Sequence, residues 1–142
     1  MIGPLTAVER VWLDPALWPS WVDGFGHVVR LDQGWPAPGS TLVWESPRGG
    51  RGRVVERVTV LTPGAAQRLE IEDAQLTGEQ EVAFTPGPAG DVGVTLSLTY
   101  SLKRHGPIRA VVDALFIRRA MADALARTLA RFAIELAAEL EA

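Results

Sequence analysis

The feature that most constrains the fold is the junction between one long alternating strand and one long uninterrupted helix at the C-terminal end. From Val94 to Leu102 the chain alternates Val94, Leu96, Leu98, Tyr100 and Leu102 with Thr95, Ser97, Thr99 and Ser101. That period of two marks a strand with one face on a core and one in water. Gly106-Pro107 then places a proline at the first position of a helix, and no breaker follows before Ala142. A helix of about 35 residues rises roughly 50 Å, longer than a small domain is wide. Ile108, Val111, Val112, Leu115, Ala122, Ala126, Leu129, Ala133, Leu136 and Leu140 fall on one stripe of it, with Arg109, Asp113, Arg127 and Arg131 opposite. A half-buried sheet and a one-sided helix each need a cover, and the expectation is that they cover each other.

The rest of the chain supplies more strands. Pro4 followed by Leu5, Val8, Val11 and Trp12 predicts a short helix that ends at Asp14-Pro15, and a second short helix starts at Pro15 and is released by Gly24 and Gly26. Strands are predicted over His27 to Leu31, Thr41 to Ser46, Arg53 to Leu61, Gln67 to Asp73 and Glu79 to Thr85, with Gly78 as the separator before the last of these. Pro47 to Gly52 carries hairpin chemistry, and Pro86 to Asp91 a loop. The fold class is therefore α+β, six antiparallel strands and a long terminal helix, in one domain over residues 1–142.

Composition removes several function classes. The chain has no cysteine, which excludes disulfides, a thiol nucleophile and cysteine-ligated zinc or iron–sulfur clusters. A net charge of −3 argues against nucleic acid as a partner, because phosphate binding needs many cations on one face. Arg48, Arg51, Arg53 and Arg57 do cluster, but Glu45 and Glu56 interrupt them, and the group reads as a solvated hairpin. No apolar run reaches the roughly 18 residues that span a bilayer, so no stable membrane insertion is expected. Residues 1–5 carry no signal-like run, and a cytoplasmic location follows by default. His27 and His105 stand too far apart for a metal motif, and no nucleophile elbow or phosphate loop occurs, so neither metal nor cofactor is expected.

Two short helices, a run of strands and one long final helix, together with Asp14-Pro15-Ala16-Leu17-Trp18-Pro19-Ser20-Trp21 and the Pro38-Gly39-Ser40 turn, resemble the START-like (SRPBCC) superfamily in its polyketide cyclase/dehydrase and lipid-transport branch. The resemblance covers nearly the whole chain. It implies a helix-grip fold, in which a curved sheet holds the last helix around a cavity for lipid- or polyketide-like molecules, and it implies no particular reaction. One departure stands out. The family normally begins with a long strand beside the last one, and that strand is absent here. The edge of Val94 to Leu102 is then left open, which predicts a homodimer or a covered edge; the other account is a start site that lies upstream.

If the apolar registers face inward, Leu42 and Trp44, Val54 and Val58, Leu69 and Ile71, Val82 and Phe84, and Leu96, Leu98 and Tyr100 line the interior, with Val112, Leu115, Ala122 and Leu129 from the helix. Alanines 122, 126 and 133 on the stripe predict room beneath the helix. Arg119 falls inside that stripe, where an unpaired guanidinium is costly; Glu56, in register with Val54 and Val58, is one answer, and a ligand carboxylate or phenolate is another. The candidate binding residues are thus Trp44, Glu56, Phe84, Leu98, Tyr100, Val112, Leu115, Arg119 and Ala122. The expected activity is binding of an apolar or amphipathic small molecule in this cavity. The alternative is a cyclase/dehydratase-type enzyme in which Tyr100, Arg119 or His27 moves a proton; no catalytic residue is assigned.

Overall fold

In the computed structural model, residues 4–103 and 107–141 are described, the stretch 107–121 as helical backbone without its side chains. Helix α1 spans Leu5–Leu13 and buries Val8, Val11 and Trp12, three positions on one helical face. Pro4 sits just outside it in an extended conformation, and its carbonyl accepts from the amides of Ala7 and Val8. The Asp14 carboxylate accepts from the Ala16 amide at 3.0 Å. It thereby caps a short 3₁₀ segment over Pro15–Ser20.

The sheet is a six-stranded antiparallel meander, β1 (His27–Leu31), β2 (Thr41–Glu45), β3 (Arg53–Thr62), β4 (Ala66–Glu72), β5 (Leu76–Pro86) and β6 (Val92–Leu102), paired in that order. With the long helix α2 (Pro107–Glu141) it forms the α+β helix-grip architecture that the sequence predicts. Leu42, Trp44, Val54, Val58, Leu69, Ile71, Val82 and Phe84 are all buried on its inner face. The outer face carries exposed ion pairs, Arg53 with Glu45, Arg68 with Glu81 and Lys103 with Glu72, which contribute little each. Among the described residues β6 has β5 on one side and no strand on the other. None of the described helices is long and apolar enough to cross a membrane.

Gly78 does not separate two elements. Strand β5 begins at Leu76 and carries Gly78 within it, opposite Tyr100. A Cβ there would stand 2.9 Å from Tyr100 Cβ and 2.5 Å from the Thr99 carbonyl oxygen, so the strands approach closely only because the residue is glycine.

Helix α2 packs on α1, on the 3₁₀ turn and on β6. Where its side chains are described, the face toward the core is Thr128, Phe132 and Leu136, with Leu125 and Leu129 half-buried. Ala122, Ala126 and Ala133 are exposed. The stripe expected from the sequence is thus rotated: Leu125 and Phe132, which lie off it, point inward, and the alanines point to water. The reason is volume. Phe132 packs against both Trp12 and Trp21, with ring centroids 4.9 and 4.8 Å away, and so large an apolar payload outweighs several methyl groups in choosing the buried face.

Phe132→Ala should therefore lose about 3–5 kcal/mol of stability, the usual range for a buried aromatic truncation. Ala133→Gln, one position away on the exposed face, should stay within about 0.5 kcal/mol of the parent. Urea denaturation followed by tryptophan fluorescence reads both, and equal losses would mean that the helix is seated differently.

Candidate functional site

Between the inner face of the sheet and the described part of α2 lies a cavity of about 60 Å³. Trp12, Trp18 and Trp21 from the N-terminal segment, Trp44, Glu56, Ile71, Gln80, Leu96 and Leu98 from the sheet, and Ala124, Leu125 and Thr128 from α2 form its walls. Arg51, at the β2–β3 hairpin, closes one side, and Val22 with Asp23 closes another. The volume is well below the about 150 Å³ at which an apolar cavity takes up benzene. The reason is the indole cluster, in which Trp12 and Trp21 stand 4.6 Å apart and Trp18 and Trp21 6.2 Å apart.

Glu56 is the unusual residue. Its register, facing inward with Val54 and Val58, follows from the alternation of β3, and the residue is only 4% exposed. Its Oε2 accepts from Trp44 Nε1 at 2.7 Å. Loss of water pushes the carboxyl up to about 7, against the lowering effects of the Trp44 hydrogen bond and the Arg51 charge. At neutral pH both protonation states of the group are therefore populated, whereas an exposed glutamate is ionised.

Arg51 is not part of a solvated hairpin. Glycines on both sides let the backbone turn, Gly52 with φ of 77°, and the guanidinium folds inward over the Trp44 ring, 5.6 Å from its centroid. Arg51 Nε donates to the Asp73 carboxylate at 2.9 Å. The other Asp73 oxygen accepts from the amides of Gln75 and Leu76, so the β4–β5 turn holds the acid that holds the arginine. Two buried donors at this cavity have no acceptor among the described residues, Arg51 Nη2 and Trp21 Nε1. The remaining indoles are engaged differently: Trp18 donates to the Trp12 carbonyl and Trp35 to that of Leu13.

Of the residues singled out from the sequence, the structure brings Trp44, Glu56 and Leu98 together at the cavity. Phe84 is buried nearby, edge-on to Trp12 at 6.4 Å, and packs in the core without reaching the cavity wall. Tyr100 is half-buried beside Gly78, away from that wall. Ala122 is exposed and is corrected to the outer face of α2, because Phe132 fixes the rotation. The side chains of Val112, Leu115 and Arg119 lie outside the described residues, and with them the expected Arg119–Glu56 pair. His27, considered for proton transfer, stands on the exposed edge strand β1 with Glu45 Oε2 3.6 Å from its ring nitrogen. Sequence reasoning missed Arg51 and Trp21. The available signal was Glu56 itself, an acid in an apolar register that calls for a donor, with Gly50-Arg51-Gly52 at the adjacent hairpin.

The cavity mouth is latched. The Asp23 amide donates to Thr128 Oγ1 at 2.9 Å. The Asp23 carboxylate accepts from Arg127 through both oxygens, at 3.0 and 3.1 Å, and from Arg131 at 3.2 Å.

A family model described as polyketide cyclase / dehydrase and lipid transport matches residues 3–137. No curated protein matches the sequence. Solved structures share the fold at low identity. A protein of unknown function from Staphylococcus aureus is 13% identical, with a TM-score of 0.71 over 98% of this chain and 90% of its own. A Nitrosomonas europaea protein is 14% identical, with a TM-score of 0.70 over 98% and 90%. An uncharacterised protein from Rhizobium leguminosarum is 15% identical, with a TM-score of 0.69 over 96% and 88%.

The Glu56 environment predicts a pH dependence of stability. Its folded pKa of about 7 lies above the ordinary 4.5. The folded state then holds a proton that the unfolded state has released, so stability is full below about pH 4.5 and falls as pH rises to about 7. The loss attributable to this group is on the order of 3 kcal/mol. Glu56→Gln, which keeps an acceptor for Trp44, should flatten the dependence; parallel urea-denaturation profiles of the two proteins between pH 5 and 8 would contradict the assignment.

Proposed function

Since the chain belongs to the polyketide cyclase / dehydrase and lipid transport family, we propose that it binds an apolar or amphipathic small molecule in the cavity between the sheet and α2. The observation that carries this reading is the pair of buried donors without an acceptor among the described residues, at the edge of an aromatic-lined cavity. Unsatisfied buried donors are costly in a core built only for stability, and a ligand oxygen would satisfy them. Aromatic walls supply contact area for the body of the ligand. The cavity holds a group of a few heavy atoms as it stands. A larger body enters by parting Asp23 from α2, which breaks exposed ion pairs of small worth.

N-phenyl-1-naphthylamine, whose emission rises in apolar surroundings, tests the binding reading. Saturable one-to-one binding is expected. Ala124→Val, which adds two methyl groups to the cavity from the α2 side, should weaken it while the circular dichroism spectrum is kept. Undiminished binding by that variant would place the dye elsewhere and remove the support for this cavity.

The second reading, an enzyme of the cyclase/dehydratase kind, is favoured by one observation: a buried carboxyl with a pKa of about 7 on the cavity wall. Such a group takes a proton from the carbon beside a carbonyl when ionised, the electron pair passing to the carbonyl oxygen, and returns a proton when neutral. Exchange of the α-protons of cyclohexanone in D₂O, followed by NMR, should be accelerated by the protein with a rate that rises with pH through about 7. Glu56→Gln should remove the acceleration and leave dye binding in place. Equal rates with and without protein would leave the binding reading alone.

A further inference from the structure

We infer that the hairpin end of the cavity is a receptor for a single anionic oxygen head group, read jointly by Arg51 Nη2 and Trp21 Nε1. This inference rests on the binding reading above and names the ligand class, a compact carboxylate or enolate on an aromatic or apolar body.

Three observations converge on it. The first is the state of the donors. Trp21 is 1% exposed and its indole N–H has no acceptor among the described residues, and Arg51 Nη2 is likewise enclosed and unbonded among them, although the same guanidinium donates to Asp73 through Nε. The second is their convergence on one cavity, Trp21 from the segment after the 3₁₀ turn and Arg51 from the hairpin. The third is how firmly the cation is held. Asp73 is 4% exposed and is fixed by two turn amides, and the guanidinium lies over Trp44, so the free Nη2 is presented without further ordering. Preorganised donors discriminate head groups, because an analogue lacking the acceptor leaves them unpaired.

The anion is met by a charged donor within a locally balanced cluster, not by a net positive charge. Asp73 compensates Arg51, and Glu56, on the same cavity wall as Trp44, accepts a hydrogen bond from it. When neutral, Glu56 lets the anion in; when ionised, it opposes it. The remaining charged groups near the mouth, Asp23 with Arg127 and Arg131, are engaged with one another.

Benzoate and benzamide, which share shape but differ in charge, are the probes. In a ¹H–¹⁵N correlation spectrum of the full chain at pH 6, the Trp21 indole N–H, assigned with Trp21→Phe, should move downfield on titration with benzoate. Benzoate should bind on the order of tenfold more tightly than benzamide, as expected for one charge-assisted hydrogen bond. Arg51→Met should abolish the preference. Trp21→Phe, which keeps an aromatic ring, should weaken benzoate selectively and serves if Arg51→Met does not fold. Binding of the naphthylamine dye without any benzoate preference would overturn this inference and leave the binding reading intact. Failure of dye and benzoate alike would remove both. A benzoate preference that survives in both variants would place the anion at another cation and overturn the inference as well.

Discussion

The three-ring cluster of Phe132, Trp12 and Trp21 is the contact on which the rest of the interior depends. It ties α2 to α1 and to the segment after the 3₁₀ turn through rings 4.8 and 4.9 Å apart, and it fixes which side of α2 can reach the sheet. Once Phe132 is inside, helical periodicity brings Thr128, Leu136 and Leu125 toward the core and turns Ala126 and Ala133 to water. The interior is then filled by indoles, and the open space left at its polar end is small. A helix seated on its alanine stripe would leave a wide void under it and would lose the largest apolar contacts in the molecule.

The polar end has its own logic. A carboxyl at the centre of an apolar face is unfavourable when charged, and the protein answers in two ways. Trp44 donates to Glu56, and Arg51 places a positive charge close by without bonding to it, since its Nε is committed to Asp73. Neither compensates the loss of water in full, which is why the carboxyl titrates near neutrality. A direct Arg51–Glu56 pair would give a quiet structural salt bridge. Placing Asp73 between the arginine and the turn instead leaves one guanidinium nitrogen unspent and one carboxyl protonatable, an arrangement with chemical capacity beyond holding the fold.

Most of the fold was legible because the strands obey period two. The inward register of Leu42, Trp44, Val54, Glu56, Val58, Leu69 and Ile71 follows from alternation alone, and the burial of each agrees. Gly78 was misleading because a glycine in sequence marks either a break or a close approach, and only the register with Tyr100 decides between them. The helix face was misread for a related reason. Alanine counts as apolar in a periodicity plot, although a buried methyl contributes far less than a buried phenyl ring, so three alanines pulled the stripe away from Phe132. Arg51 was hidden among neighbours of the same type, and nothing local distinguishes an arginine that folds back over a tryptophan from one in solvent. The acid it serves is 22 residues away in sequence. Glu56 was the legible part of the site, since an ionisable residue in an apolar register stands out from any plot of the strand.

The two ends of the cavity differ in kind, and that difference bears on selectivity. The hairpin end is rigid: Asp73 is held by backbone amides, Arg51 by Asp73, and Trp44 by Glu56. The mouth is held by one backbone hydrogen bond to Thr128 and by exposed arginine–carboxylate contacts at Asp23, which solvent and salt weaken. On the binding reading proposed above, a ligand would meet fixed donors for its head and a yielding wall for its body. Binding energy gained at the head is available to open the mouth, so the chemical identity of the head can be selected strictly while the size of the body is accommodated. On that reading the wide cavity need not exist beforehand; a small polar pocket and an inexpensive opening would serve the same end.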